Sequence, residues 1–328
     1  MKINENYFLI GGNSLNAIRI VGEIKKLFDN SIDIPFSYIF SYPTVEKLSN
    51  AIYEILNGCL KAGLTSKELE MEVKLDIDLK GKSVPIKKEV CLLTGATGNL
   101  GNYLLKEILR QTNMEIYCLI RAKSMEAAQD RLEGVLNKIN MSLYEEARVH
   151  IVLGDLGEPN LGMDMDVYEK LDEKVDCIYH NGAKVHFLSD YYELKNINVN
   201  GTKEIIRFAG YKKIKAIFYI STISIFSKFR TNDNIIMEND DISDPGILPI
   251  GYTQSKWVAE GLIWKAKECG IPVMVYRLGH VVGDSETGVC NDGDFIFRII
   301  KSCLILGVYP DIKGSIAPIE IDDVAKIV

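Results

Sequence analysis

Two arrangements of residues in this chain could do chemistry. Residues 90–101 read V-C-L-L-T-G-A-T-G-N-L-G, an apolar run, then glycines at 95, 98 and 101, then a chain that resumes with helical periodicity. Such a run suits a buried parallel strand, and a glycine turn lets backbone N–H groups approach a pyrophosphate at the positive end of the next helix. Thr94, Gly95, Thr97, Gly98, Asn99, Leu100 and Gly101 are the expected phosphate-side residues, with Gly101 letting helix and strand pack closely. The second arrangement is Tyr252 and Lys256 in G-Y-T-Q-S-K-W-V-A-E. On a helix this spacing puts both side chains on one face. A phenol titrates near pH ~10 in water, and an adjacent ammonium that favours phenolate makes it a usable proton donor and acceptor.

The same spacing recurs at Tyr191/Lys195, Tyr211/Lys215 and Tyr309/Lys313. Position singles out Tyr252, which follows the polar strand end Ser221-Thr222-Ile223-Ser224 and opens a helix leading to another strand. Tyr309 is followed by Pro310, which breaks a helix. A third reactive group is Ser14 in Y-F-L-I-G-G-N-S-L. A serine after two glycines, opening a helix, is exposed, and a phosphodiester on it would sit near the helix N-terminal dipole; a plain N-cap is the alternative.

The elements that must position these groups fall into two regions. Up to about residue 58 the chain reads as helical, with apolar residues at Leu15, Ile18, Val21, Ile24 and Leu27 and again at Val45, Leu48, Ile52 and Ile55. Residues 59–88 are charged and poorly periodic, with Gly81 and Pro85 near the end, and read as a linker. From residue 89 strand-like runs at 90–94, 115–120, 149–153, 175–180, 214–220 and 272–277 alternate with helical ones. That alternation implies an α/β, Rossmann-type doubly wound parallel sheet with its crevice at the strands' C-terminal ends.

Composition narrows the classes. At 47% hydrophobic and 25% charged residues the chain is a soluble globular protein, with no apolar run long enough for a membrane span and no signal-peptide layout, so a cytoplasmic setting is expected. A net charge of −7 argues against a nucleic-acid groove. The seven cysteines, at 59, 91, 118, 177, 269, 290 and 303, have no C-x-x-C spacing and read as buried thiols, and no metal site is expected.

Tyr7 to Leu15 resembles the phosphopantetheine attachment site of an acyl or peptidyl carrier domain. Ile32-Asp33-Ile34-Pro35 and Ile39-Phe40-Ser41-Tyr42-Pro43-Thr44-Val45 continue the pattern. The resemblance implies 4′-phosphopantetheine, attached covalently to Ser14 by a phosphopantetheinyl transferase. Family carriers have Asp or His before the serine where this chain has Asn13. They also have an earlier helix that is expected to be missing here, which leaves a small, incomplete all-α bundle.

Residues 89–328 resemble the thioester reductases of the extended short-chain dehydrogenase/reductase superfamily, which end some nonribosomal peptide synthetases, carboxylic acid reductases and aminoadipate reductases. Where an NAD site would place an acid after the second strand, this chain has Arg121, with Lys123 and Arg131 nearby. A guanidinium fork on a 2′-phosphate implies NADPH. Asp155 and Leu156 match the adenine edge, and Asn181 and Ala183, after His180, match the cofactor's middle. Asn198 fits the family asparagine better than Asn200. Thr222 falls where a hydroxyl polarises the substrate carbonyl, with Ser221 and Ser224 as competitors, and Lys256 would also hold the nicotinamide ribose. His186 and His280 read as structural. The segments Tyr276-Arg277-Leu278-Gly279, Val281 to Gly288 and Pro318 to Ala325 follow the family order. The family continues past residue 328, so part of the substrate lobe is expected to be absent.

The implied reaction is NADPH-dependent reductive release of an acyl or peptidyl thioester as an aldehyde or alcohol, catalysed by Thr222, Tyr252 and Lys256. The implied partners are upstream synthetase modules such as an adenylation domain. The alternatives are an extended dehydrogenase or epimerase acting on a free small molecule, which has no use for Ser14, and a non-catalytic carrier or docking fragment.

Overall fold

The computed structural model describes residues 2–12, 14–29, 34, 38–39, 42–57, 64–77, 79–82, 89–143, 147–187, 189–226, 236–246, 248, 250–291, 293–309 and 317–328, without the side chains of Ser14, Leu15, Ile18 and Phe295. Asn13, Ile32, Asp33, Pro35, Phe40, Ser41, Cys59, Pro85, Pro310 and Lys313 lie outside the described residues. Packing divides the chain into two compact units. One comprises Met1–Lys74, Lys184–Val199 and Ile225–Val258; the other comprises Leu75–Ala183, Asn200–Ser224 and Ala259–Val328.

Among the described residues the first unit carries α1 (Ser14–Leu27), α2 (Val45–Leu56) and α3 (Ser66–Glu72). The chain continues through β1 (Val90–Thr94), α4 (Asn99–Gln111), β2 (Glu115–Ile120), α5 (Met125–Leu136), β3 (Val149–Leu153), α6 (Met165–Lys174) and β4 (Cys177–His180). There follow α7 (Tyr191–Lys195), α8 (Gly201–Ala209), β5 (Ala216–Thr222), α9 (Gly251–Glu268) and β6 (Val273–Leu278). The last elements are β7 (His280–Val282), α10 (Phe295–Leu306), β8 (Pro318–Glu320) and α11 (Ile321–Ile327).

In the first unit Ala17 and Val21 of α1 are buried with Ile34 and Ile39, and Ile24, Leu48, Ile52 and Ile55 pack around them. Leu27 and Val45, expected on the same stripes, are exposed because they stand at the helix ends, past the core. The charged linker contains a helix that its weak periodicity does not suggest. α3 is held by a capping box, in which Thr65 accepts the Glu68 N–H while Glu68 accepts the Thr65 N–H. Buried Leu69 and the 2.8 Å Glu72–Lys195 ion pair tie it down within that unit.

In the second unit six parallel strands run in the order β3-β2-β1-β4-β5-β6, the doubly wound arrangement, with the order reversing between β1 and β4. The expected fold class stands. β1, β2 and β3 coincide with the runs read from sequence, whereas the other three start one or two residues later. The Val175 N–H is taken by the Leu171 carbonyl at the end of α6, and Pro272 has no N–H to give. The Lys215 N–H goes to the Ala209 carbonyl.

The Lys215 side chain explains the last case. It is wholly buried, 2.5 Å from Asp172, and it also donates to the carbonyls of Phe208 and Lys213. Burial pulls its ammonium down to about 8 against the opposing pull of Asp172. Removing one partner of such a pair strands the other charge. Lys215→Met is therefore expected to lower the unfolding free energy by ~3–5 kcal/mol, and Lys215→Met with Asp172→Leu to recover most of that loss. Urea denaturation of the two variants checks this; equal losses in both would contradict the pairing.

Candidate functional site

In the second unit β1 ends at Thr94 and the glycine turn begins. Gly95 has φ +72, and a Cβ there would lie 2.8 Å from the Gly182 Cα. A Cβ on Gly101 would lie 1.9 Å from the Gly95 carbonyl oxygen. Backbone thus packs on backbone from three segments, and only glycine fits. The Gly98 N–H closes the turn on the Gly95 carbonyl at 2.9 Å, and Gly98 caps α4 with no side-chain cap. The first N–H groups of α4 thus keep their donors for an anion. Thr97 and Leu100 are half-buried, and Gly98 and Asn99 are exposed.

The turn is shaped from beneath. Thr94 is buried; its hydroxyl accepts the Gly182 N–H at 2.9 Å and lies 2.9 Å from His180 Nδ1, whose ring Nε2 is 3.1 Å from the Thr202 hydroxyl. The Asn181 amide donates to the Gly95 carbonyl at 3.2 Å. Leu156 packs against Gly182, which brings Thr94, Gly95, Leu156 and Asn181 together, with half-buried Ala183 next in the chain. At the end of β2, exposed Arg121 lies 3.8 Å from Asp155, and Arg131 donates to the Arg121 carbonyl at 2.9 Å, which brings two guanidinium groups to one corner.

At the end of β5, Ser221 is buried with its hydroxyl donated to Glu260 at 2.5 Å, so it does not compete as a carbonyl donor. Half-buried Thr222 accepts the Ser224 N–H at 3.2 Å.

In the first unit Tyr252 is half-buried at the start of α9 and Lys256, one turn on, is buried. Burial pushes the Tyr252 phenol up to about 12. This reverses the direction expected from the lysine: loss of hydration dominates, and the phenol stays protonated. Asn198, in a π-helical turn at 196–200, is buried. Its oxygen accepts the Lys184 N–H at 2.7 Å, and its amide donates to the Lys184 carbonyl and to Ser255, whose hydroxyl bonds the Tyr252 carbonyl at 2.8 Å. Asn198 thus supports the turn that carries Tyr252.

Two of the rival tyrosine–lysine pairs serve the fold, and Lys313 of the third lies outside the described residues. Tyr191 is buried and Lys195 pairs with Glu72; Lys215 pairs with Asp172; Tyr309 is exposed. His186 bonds Ser189 at 2.9 Å, and His280 lies 3.5 Å from Asp294. Cys91, Cys118 and Cys177 are buried, and burial raises the Cys118 thiol to about 12, whereas Cys269 is exposed and Cys290 and Cys303 are half-buried, against the expectation of buried thiols throughout. Among the described residues no acidic, histidine and cysteine cluster could hold a metal, and no helix is long and apolar enough to cross a membrane.

Comparison with known proteins gives the family of the chain. Residues 93–328 match the NAD-binding family described as male sterility protein, and residues 1–52 match the phosphopantetheine attachment site family. A linear gramicidin synthase polypeptide of Brevibacillus parabrevis is 38% identical over 99% of this chain, which spans 6% of that protein's length. The terminal R domain of the myxalamid PKS-NRPS pathway superposes with a TM-score of 0.75 at 38% identity, over 79% of this chain and 67% of that one. A thiolation-reductase di-domain from an archaeal non-ribosomal peptide synthetase gives 0.70 at 25% identity, over 99% of this chain and 70% of that one.

The glycine contacts predict opposite outcomes for two alanine substitutions. Gly101→Ala meets backbone and should cost ~1–3 kcal/mol or more. Gly134→Ala, on α5 with nothing within 4 Å of its added Cβ, should gain ~0.5–1 kcal/mol. Thermal denaturation of both variants reads the difference.

Proposed function

The chain belongs to the male sterility protein family of NAD-binding domains, within the extended short-chain dehydrogenases/reductases, with a phosphopantetheine attachment site in front; from this premise we propose that it reductively releases an acyl or peptidyl thioester from its own carrier segment. The carrying observation is that the two signatures stand together in one chain, since a carrier holds thioesters and a nucleotide-binding oxidoreductase can reduce them. Residues 1–58 serve as carrier, 59–88 as linker and 89–328 as NADPH-dependent reductase.

The cradle at the end of β1 fits a dinucleotide: its glycines leave room for no side chain, and the N-terminus of α4 has no side-chain cap. Gly95, Gly98, Asn99 and Gly101 would hold the pyrophosphate, with Thr94 shaping the turn. Arg121 and Arg131 would hold a 2′-phosphate, Asp155 and Leu156 the adenine side, Asn181 and Ala183 the middle of the molecule, and Lys256 the nicotinamide ribose. Bound NADPH would supply a hydride to the thioester carbonyl. Phosphopantetheine on Ser14, the first residue of α1, would supply the thiol that carries the acyl group, and its covalent attachment raises the effective concentration of substrate.

The chain's own residues then handle the carbonyl oxygen. Thr222 donates a hydrogen bond to it, and Tyr252, protonated because burial raises its phenol to about 12, donates a proton as negative charge develops there. The hydroxyl proton of the resulting thiohemiacetal returns to the Tyr252 oxygen as the carbon–sulfur bond breaks, sulfur leaves with the electron pair and takes up a proton from solvent, and the products are an aldehyde, the free carrier thiol and NADP+. A second reduction would give the alcohol. The upstream partners of this reading are a phosphopantetheinyl transferase and an adenylation module.

Incubating the chain with NADPH and acyl-pantetheine thioesters tests the reading: aldehyde or alcohol should form as NADPH absorbance falls. Tyr252→Phe should cut turnover by ~10²–10⁴-fold while the NADPH Kd changes less than about threefold. Retained turnover counts against the assigned donor. Arg121→Ala should weaken NADPH by ~1.5–3 kcal/mol, about 10- to 150-fold, with NADH affinity nearly unchanged, as read by fluorescence titration. Equal losses for both nucleotides would contradict a 2′-phosphate contact.

A further inference from the structure

Glu260 on α9 is a fully buried carboxylate that the proposed reaction does not use. Each of its oxygens is engaged. Oε2 accepts the Ser221 hydroxyl at 2.5 Å; Oε1 accepts Arg277 Nε at 2.9 Å and the Trp264 indole N–H at 3.0 Å, with Arg277 Nη2 2.8 Å away. Ser221 and Arg277 are register partners on β5 and β6. Their side chains therefore leave the same face of the sheet, and one helix residue reaches both. Apolar side chains of similar volume would hold a helix on a sheet at least as well as a buried ion pair. What the ionic groups add is direction, because a carboxylate that meets a planar guanidinium fork and a hydroxyl fixes where each strand end lies.

The residue so fixed is next to Thr222. Alternation turns the Thr222 side chain to the other face, and a short 3₁₀ turn, Ile223–Ile225, follows. Thr222 Oγ1 accepts the Ser224 N–H and donates to the Ser224 hydroxyl, both at 3.2 Å. The main chain thus takes a lone pair of the threonine oxygen, which leaves its proton for an outside acceptor, and the Ser224 hydroxyl holds that proton in the meantime.

We propose that Glu260, acting through Ser221, is a positioning residue that sets the end of β5 so that the Thr222 hydroxyl presents its proton to the substrate carbonyl oxygen. The proposal rests on the reading of Thr222 given above. Misplacement of a hydrogen-bond donor by a fraction of an ångström to 1 Å costs up to about 100-fold in rate.

The experiment compares Ser221→Ala, Ser221→Thr, Thr222→Ala and the Ser221→Ala/Thr222→Ala double variant in the full chain, with NADPH and an acyl-pantetheine thioester. Ser221→Ala leaves the Glu260–Arg277 pair intact. It is expected to lower kcat about 10- to 100-fold with KM and NADPH Kd nearly unchanged, and to lower the melting temperature by several degrees because Glu260 Oε2 loses its hydrogen bond. Ser221→Thr, which keeps the hydroxyl, restores most of the rate. In the Thr222→Ala background Ser221→Ala costs nothing further, the non-additivity of a residue that acts through another. Wild-type kcat in Ser221→Ala, or an undiminished loss in the Thr222→Ala background, overturns the proposal. Hydrogen exchange over residues 221–226 gives a substrate-free readout. Faster exchange in Ser221→Ala upholds the positioning even if the wild-type chain consumes no thioester, an outcome that would sink the reductase reading alone; unchanged exchange overturns the positioning.

Discussion

Steric exclusion at Gly95 governs much of the second unit. The left-handed backbone there, the Gly182 Cα 2.8 Å from where a Gly95 Cβ would lie and the Gly95 carbonyl oxygen 1.9 Å from where a Gly101 Cβ would lie leave no volume for a side chain at Gly95 or Gly101. β1 and β4 can therefore end side by side, with Thr94 and His180 as register partners, and α4 can begin directly over the turn. Because the strand order reverses between these two strands, the connections on either side part to opposite faces and a crevice opens at their C-terminal ends. A glycine cradle at the start of a helix with no side-chain cap thus follows from the packing of peptide groups before any side chain is considered.

Buried polar side chains then fix what glycine leaves free. Thr94, His180 and Thr202 form a chain of contacts under the turn, and each lies almost completely out of water. Such groups cost desolvation unless they are paired, so a satisfied network selects one arrangement over its near neighbours. Asn198 does the same in the first unit, where one amide reads both polar groups of the Lys184 peptide and reaches Ser255. In each case the polar group touches main chain or a hydroxyl beside it, so its orientation passes directly to the backbone.

How much of this is legible in the sequence depends on the range of the interaction. The glycine turn is legible because its requirement is local and steric. β1, β2 and β3 are legible as apolar runs, but the start of β5 is not, since Lys215 turns to a carboxylate 43 residues away. Tyr252 is separable from its three look-alikes by position alone, and the structure shows Lys195 and Lys215 engaged in ion pairs. The protonated phenol runs against the sequence expectation because burial, unlike a neighbouring lysine, leaves no mark at a single position. The capping box that starts α3 is present in Thr65 to Glu68 but is hidden by the charge around it. Glu260 does not stand out because a carboxylate on a helix reads as a solvated charge until Arg277 is known to lie against it.

β5 draws these constraints together. It is held at one end by Lys215, paired with Asp172, and at the other by Ser221, bonded to Glu260. A strand held at one end can slip in register, and a slip of one residue exchanges its two faces. Held at both ends by buried ionic groups, β5 keeps the register that pairs Ser221 with Arg277 and Thr222 with Leu278. An apolar strand in an apolar core has many nearly equivalent placements, whereas a buried charge has one place where its partner waits. Which of two adjacent hydroxyls leaves each face of the sheet is thus tied to ion pairs at the two ends of a single strand, and the desolvation cost of Asp172, Lys215, Glu260 and Arg277 is offset by the hydrogen bonds and ion pairs that they make there.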